Sequence, residues 1–216
     1  MATDEEKPRV LLLSLNMLPW FDRMYEDFMH KLCEKATVHR VMEPIPAIRV
    51  LTQNFKAVLV TDEALTTTKH ALVWQAILEY VRAGGTAICM GMFSSYARNM
   101  GRFFEKAGLR WDQGEEHRIT VFLNKGRVPQ DVQQILPASY RLQAVFLTFV
   151  SPAQAWYRPT EKYIQETQVA EAGAVSSYEY PVAMAKIGDG NLGYVGDVGA
   201  EAGSDSVILA MCGLCD

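Results

Sequence analysis

Three short, unbroken apolar runs constrain this chain more than any other feature: RVLLLSL at Arg9–Leu15, AVLVT at Ala57–Thr61 and TAICM at Thr86–Met90. A strand without a polar face must be covered on both sides. The segments between the runs carry a helical period. In Asp22–Ala36, Met24, Phe28, Met29 and Leu32 recur at that spacing, and Asp22 stands where an N-cap belongs. In Thr68–Ala83 the stripe is Val73, Ala76, Ile77, Tyr80 and Val81, and Gly84-Gly85 ends it. Ser95–Ala107 reads as a further helix stopped by Gly108, and Thr37–Met42 alternates like a strand. Apolar strands separated by amphipathic helices predict an α/β fold with a doubly wound, mainly parallel, flavodoxin-like sheet.

The second half changes character. Arg118–Asn124 and Tyr140–Val150 read as strands, with a short helix near Gln130–Leu136. Ala153–Ser177 has few apolar anchors and no period, which is the mark of a functional or mobile loop. Tyr180–Ile187, the turn Gly188-Asp189-Gly190-Asn191 and Leu192–Val198 predict a C-terminal antiparallel hairpin. Ser204 is placed to cap a last helix over Asp205–Leu214. The expectation is a flexible tail at 1–8 and one domain over 9–216, a length suited to a single core.

The net charge of -4, with its positive residues scattered, argues against nucleic acid as the partner. No apolar run has the length to span a bilayer, and the acidic start MATDEEKPR is unlike a secretory signal. A cytoplasmic protein is expected, with Cys33, Cys89, Cys212 and Cys215 as reduced thiols. The partners expected are a small-molecule ligand and a second copy of the chain, with no membrane and no cofactor.

In a parallel sheet the ligand binds at the carboxyl ends of the strands. Asn16, Asp62, Glu63 and Cys89 all fall at or just past such ends. Cys89 stands where a strand turns sharply, the place where many α/β enzymes display a nucleophile. Helix amides there would favour the thiolate, whereas a buried cysteine would only fill space. His117 is a candidate base and Arg118 a carboxylate or phosphate fork. Asp62 and Glu63, with Asp197 and Glu201 beyond the last strand, are candidate acids and bases. Trp20 and Phe21 in the first loop, with Met92 and Phe93 near the turn and Trp156-Tyr157 later, suggest an apolar wall. His30, His39 and His70 read as structural or exposed. Cys212 and Cys215 have CxxC spacing without further ligands nearby, so no metal site is expected.

The order of these elements, with YVRAGG before ICMG and the hairpin PVAMAKIGDGNLGYVGD, resembles the class I glutamine amidotransferase-like superfamily. It is most similar to small single-domain members: the trehalose-utilisation-like proteins and fungal amidotransferase-like relatives. The resemblance places Cys89 near the family's nucleophile, and Ile88-Cys89-Met90-Gly91 resembles the elbow of the intracellular protease/deglycase branch. The chain departs from the pattern at Met92-Phe93-Ser94-Ser95. It departs again where the family has its catalytic histidine, since Gly196–Glu201 contains none. Glutamine hydrolysis by a Cys-His-Glu triad is therefore not expected. Two readings are expected: a small-molecule enzyme of this fold with its site near Cys89, acting on an apolar or aromatic metabolite as the rim aromatics suggest, or a catalytically silent ligand-binding or oligomeric interaction protein.

Overall fold

The computed structural model describes residues 7–160 and 179–215. Most of the tail expected at 1–8, and most of the loop expected at 153–177, lie outside the described residues. The described strands are β1 (Arg9–Leu13), β2 (Thr37–Val41), β3 (Ala57–Val60), β4 (Thr86–Cys89), β5 (Asp112–Leu123), β6 (Ser139–Thr148), β7 (Ala155–Arg158), β8 (Val182–Ile187) and β9 (Gly190–Val195). They form one sheet in the order β2-β1-β3-β4-β9-β8-β7-β5-β6. The pairings from β2 to β9 are parallel, and those from β9 to β6 are antiparallel.

The helices are α1 (Phe21–Met24), α2 (Glu26–Lys35), α3 (Pro44–Val50), α4 (Ala71–Arg82), α5 (Met92–Tyr96), α6 (Met100–Glu105) and α7 (Ala202–Met211). One face of the parallel strands, with Leu11, Val58 and Ala87, packs against α3, α4 and α6. The other, with Val10, Leu12, Leu59 and Ile88, packs against α2 and α7. That two-sided cover is why the strands are apolar throughout. Helix α4 buries Val73, Trp74, Ile77, Leu78 and Val81, each stabilising by about 1.5–3 kcal/mol. It stops because Gly84 takes the left-handed conformation (φ +111°).

Several predicted elements are redrawn. The helix predicted over Asp22–Ala36 breaks at Tyr25 (φ -106°, ψ 22°). Asp22 does not cap it; both its oxygens take Arg40, at 2.6 and 2.9 Å, which holds the carboxyl low. The helix predicted over Ser95–Ala107 is two short ones separated by left-handed Asn99. Helix α3 was not expected; Pro44 at its start is the signal for it. Gln130–Leu136 forms turns rather than a helix.

The antiparallel end curls back on the parallel one. Ala144 of β6 bridges to Asp197 just beyond β9, and Leu147 bridges to Tyr180. Val145 N–H donates to Gly196 at 2.9 Å, and Val198 N–H donates to Gln143 at 2.9 Å. The long hairpin of β5 and β6 is thereby brought over the carboxyl end of β9.

Candidate functional site

Strand β4 ends at Cys89, and Met90 N–H still pairs with Val60 at 2.9 Å. The sharp turn falls two residues later, at Gly91 (φ 65°, ψ -130°), from which α5 starts. The apex of the strand-to-helix turn is therefore a glycine, with no side chain to present. Cys89 sits inside the core beside Phe93 and Tyr194, with no solvent exposure. Burial pushes its thiol far up, opposite to the expected activation. The reason is strand alternation: Val60 and Cys89 are register partners on the face covered by α4 and α6. The nucleophile role expected for Cys89 is corrected to packing.

Asn16, Asp62 and Glu63 do converge at the carboxyl-terminal rim. Asn16 N–H donates to Asp62 Oδ2 at 2.9 Å, and the Asn16 side-chain amide donates to Glu63 Oε1 at 2.7 Å. Asp62 Oδ1 accepts from Ala64 N–H at 3.1 Å and caps a 3-10 turn over Glu63–Thr66. Burial raises the Asp62 carboxyl, and the two backbone donors oppose the rise. Both oxygens of Asp62 are engaged in bracing the first loop against the end of β3.

The second acid cluster lies past β9. Asp197, 4% exposed, accepts from Gly199 N–H at 2.7 Å through Oδ1 and from Glu201 N–H at 2.9 Å through Oδ2. Glu201 Oε1 accepts from Gln143 N–H at 3.1 Å. Glu201 Oε2 is sealed from solvent and meets no N–H or O–H donor. Burial, and then the neighbouring Glu201 carboxyl, push the Asp197 carboxyl upward past neutrality. A protonated Asp197 would supply the donor that Glu201 Oε2 lacks.

Two tyrosines complete this cluster. The Tyr25 hydroxyl is buried without a partner among the described residues and lies near the Asp197, Glu201 and Asp205 carboxyls. Tyr140 stands 3.4 Å from Ser204 Oγ, hydroxyl to hydroxyl. Burial raises both phenols, so they stay neutral donors. Lys31 closes the edge on Asp205 at 2.8 Å. Tyr25 also links the cluster to the turn, since a Cβ placed on Gly91 would lie 3.7 Å from its ring and 3.2 Å from Phe21. The sequence reading had Asp197 and Glu201 among its candidates but not Tyr25 and Tyr140. The stacked Phe21–Tyr25 pair, at i and i+4 with ring centroids 4.7 Å apart, is the signal that would have placed Tyr25 inside.

His117 does not approach Cys89. Strands β9, β8 and β7 stand between β4 and its own strand, β5. It lies edge-on to Phe146 at 5.1 Å, with Nε2 at 3.8 Å from Glu179 and 3.9 Å from Glu115. The curl of the sheet gives it another neighbourhood. Ala144 is opposed by His117 on one side and by Asp197 on the other, so the two are about 10 Å apart across two strand spacings. Arg118 is forked onto Gln143 Oε1 at 2.9 and 3.2 Å, an engaged surface side chain rather than an open anion fork. The apolar wall expected at the rim does not form. Phe21, Met92 and Phe93 are buried in the core, and Trp20, 44% exposed, is the member left open. Trp156 lines a different cleft, at the amino ends of the strands.

No protein-family model and no curated protein sequence matches the chain. Solved structures do. A ThuA-like protein from Bacteroides uniformis superposes with a TM-score of 0.62 at 11% identity, over 95% of this chain and 90% of that one. A GMP synthase-like protein from Thermoplasma acidophilum gives 0.57 at 8% identity, over 97% and 94%. A β-galactosidase from Bacillus circulans gives 0.59 at 11% identity, but the match spans 96% of this chain and only 31% of that enzyme. These likenesses show that the chain shares the α/β fold of these proteins. Within that fold the ThuA-like proteins match it nearly end to end.

Proposed function

We propose that this protein is a small-molecule enzyme of the amidotransferase-like fold that works by proton transfer rather than by a thiol. The observation that carries this is the pairing of buried Asp197 with Glu201, one of whose carboxyl oxygens is sealed from solvent, where the last parallel strand ends. A carboxyl that keeps its proton at neutral pH can act as a general acid, and the Glu201 carboxyl beside it is placed to exchange a proton with it. The neutral Tyr25 and Tyr140 hydroxyls offer hydrogen bonds to a developing negative charge. The substrate class favoured by the surroundings is an uncharged or weakly polar metabolite, because Asp205 is already paired with Lys31. Cys89 takes no part in this chemistry.

The test is turnover of a metabolite extract followed by mass spectrometry. Wild type and Cys89→Ala are expected to consume the same compound, while Asp197→Asn leaves it unchanged with its near-UV circular dichroism intact. Turnover that survives Asp197→Asn, or that is lost in Cys89→Ala, overturns the reading.

A second reading, a catalytically silent ligand-binding or oligomeric protein, is favoured by one observation: the turn that could display a nucleophile has Gly91 at its apex. It predicts no turnover by wild type, with saturable ligand binding or a concentration-dependent mass.

A further inference from the structure

A cleft of about 480 Å3 opens at the amino ends of β3, β4 and β9, on the opposite edge of the sheet from the acid pair. Lys56 leads into β3, Thr86 begins β4 and Asn191 lies at the start of β9. Trp156 forms part of the wall, with Met184 and Met211. The lining is about as polar as it is apolar, with an apolar wall on one side and convergent polar groups on the other.

The polar groups are mostly unused donors. Trp156 is 6% exposed, yet its indole N–H meets no acceptor among the described residues and is not sealed off, so it opens onto the cleft. A buried indole N–H normally finds a partner. The Lys56 ammonium has no ion pair or hydrogen bond among the described residues. Its stem runs over Gly213, where an added Cβ would meet Cε at 3.0 Å and Nζ at 3.3 Å. Its charge is felt by the buried Cys212 thiol beside it. The Asn191 side chain is likewise without a partner among the described residues.

Helices α4 and α7 also end here, and helix carboxyl ends favour cations. Several carbonyls at these ends are already taken. Arg82 and Gly85 accept from Asp189 and Asn191 at 3.0 Å, and Ala210 and Leu209 accept from Gly213 and Leu214 at 2.9 and 3.0 Å. One carboxylate, the exposed Asp131, lies on the lining. The balance of free groups is toward donors.

We infer that this cleft binds a small organic anion, a carboxylate on an apolar or aromatic body. The carboxylate lies between the Lys56 ammonium and the Trp156 N–H, and the body lies against Met184 and Met211. The inference is independent of the acid-pair reading.

The test is calorimetric titration of the full chain with 4-phenylbutyrate, its neutral amide and 4-phenylbutylamine. Saturable binding of the carboxylate is expected, weakened about tenfold or more for the amide and in Lys56→Met. Lys56 is exposed, so this variant folds; Trp156→Phe, checked by its thermal melt, is expected to weaken binding as well. Absence of saturable carboxylate binding, equal binding by Lys56→Met, or preference for the amine overturns the inference.

Discussion

Asp197→Asn separates a titrating buried carboxyl from a merely capping one. In the native state, burial and the Glu201 carboxyl keep the Asp197 proton on, whereas the unfolded chain releases it near the ordinary value of 3.8. Between these two values the folded state binds more protons than the unfolded one. Stability contributed by this group is therefore lost as pH rises above 3.8, at about 1.4 kcal/mol per pH unit for one proton. Over the two units from about pH 5 to pH 7 the loss is about 3 kcal/mol. Asparagine cannot ionise, and its amide N–H can donate to Glu201 Oε2 without a titratable proton. It also turns a donor toward one of the two backbone N–H groups that Asp197 accepts from, a fixed cost of about 1–3 kcal/mol. The variant is then less stable than wild type at the acid end of this range, and the gap closes as pH rises. The assay is urea unfolding at half-unit pH steps, with the difference between the two stabilities plotted against pH. Asp62 and Asp205, also raised by burial, contribute equally to both proteins and cancel. A pH-independent difference would refute a protonated Asp197 and leave it as a simple turn cap.

Gly91→Ala is expected to destabilise by about 2–4 kcal/mol, since a side chain at φ 65° is strained and its Cβ meets Phe21 at 3.2 Å and the Thr61 carbonyl at 3.3 Å. Gly108→Ala, at φ +78° with open space around it, is the control and costs about 1–2 kcal/mol in the same denaturant experiment; equal losses would contradict the close packing at the turn. Iodoacetamide should label exposed Cys33 quickly and Cys89 and Cys212 only on unfolding, read by peptide mass spectrometry across pH; fast labelling of native Cys89 would show it open. Tyr25→Phe removes a buried hydroxyl that has no partner among the described residues, so stability is expected to stay level or rise by up to about 1–3 kcal/mol. A clear loss in thermal melts would mean that the hydroxyl is bonded.

The apolar runs at Arg9–Leu13, Ala57–Val60 and Thr86–Cys89, the stripe of α4 and the Gly188–Gly190 turn were legible because each is local: burial on two faces, a period of 3.6 and a positive φ all leave marks on neighbouring residues. From these the parallel sheet and the meeting of Asn16, Asp62 and Glu63 at its carboxyl-terminal rim followed. The curl that sets Asp197 beside β6 was not legible, because the bridge from Ala144 to Asp197 joins residues more than fifty positions apart and depends on the twist of the strands between them. Nor was the inward turn of Cys89. One residue of register decides whether a side chain faces the core or the rim, and the pairing with β3 fixes that register while the tripeptide around Cys89 does not. The sequence by itself determined most of the segments that form the sheet and which acids follow its strands, but not β7 (Ala155–Arg158), which falls in the stretch read as a loop. The tertiary structure decided which of those acids are buried together, because burial and charge coupling arise between residues that only the folded chain brings into contact.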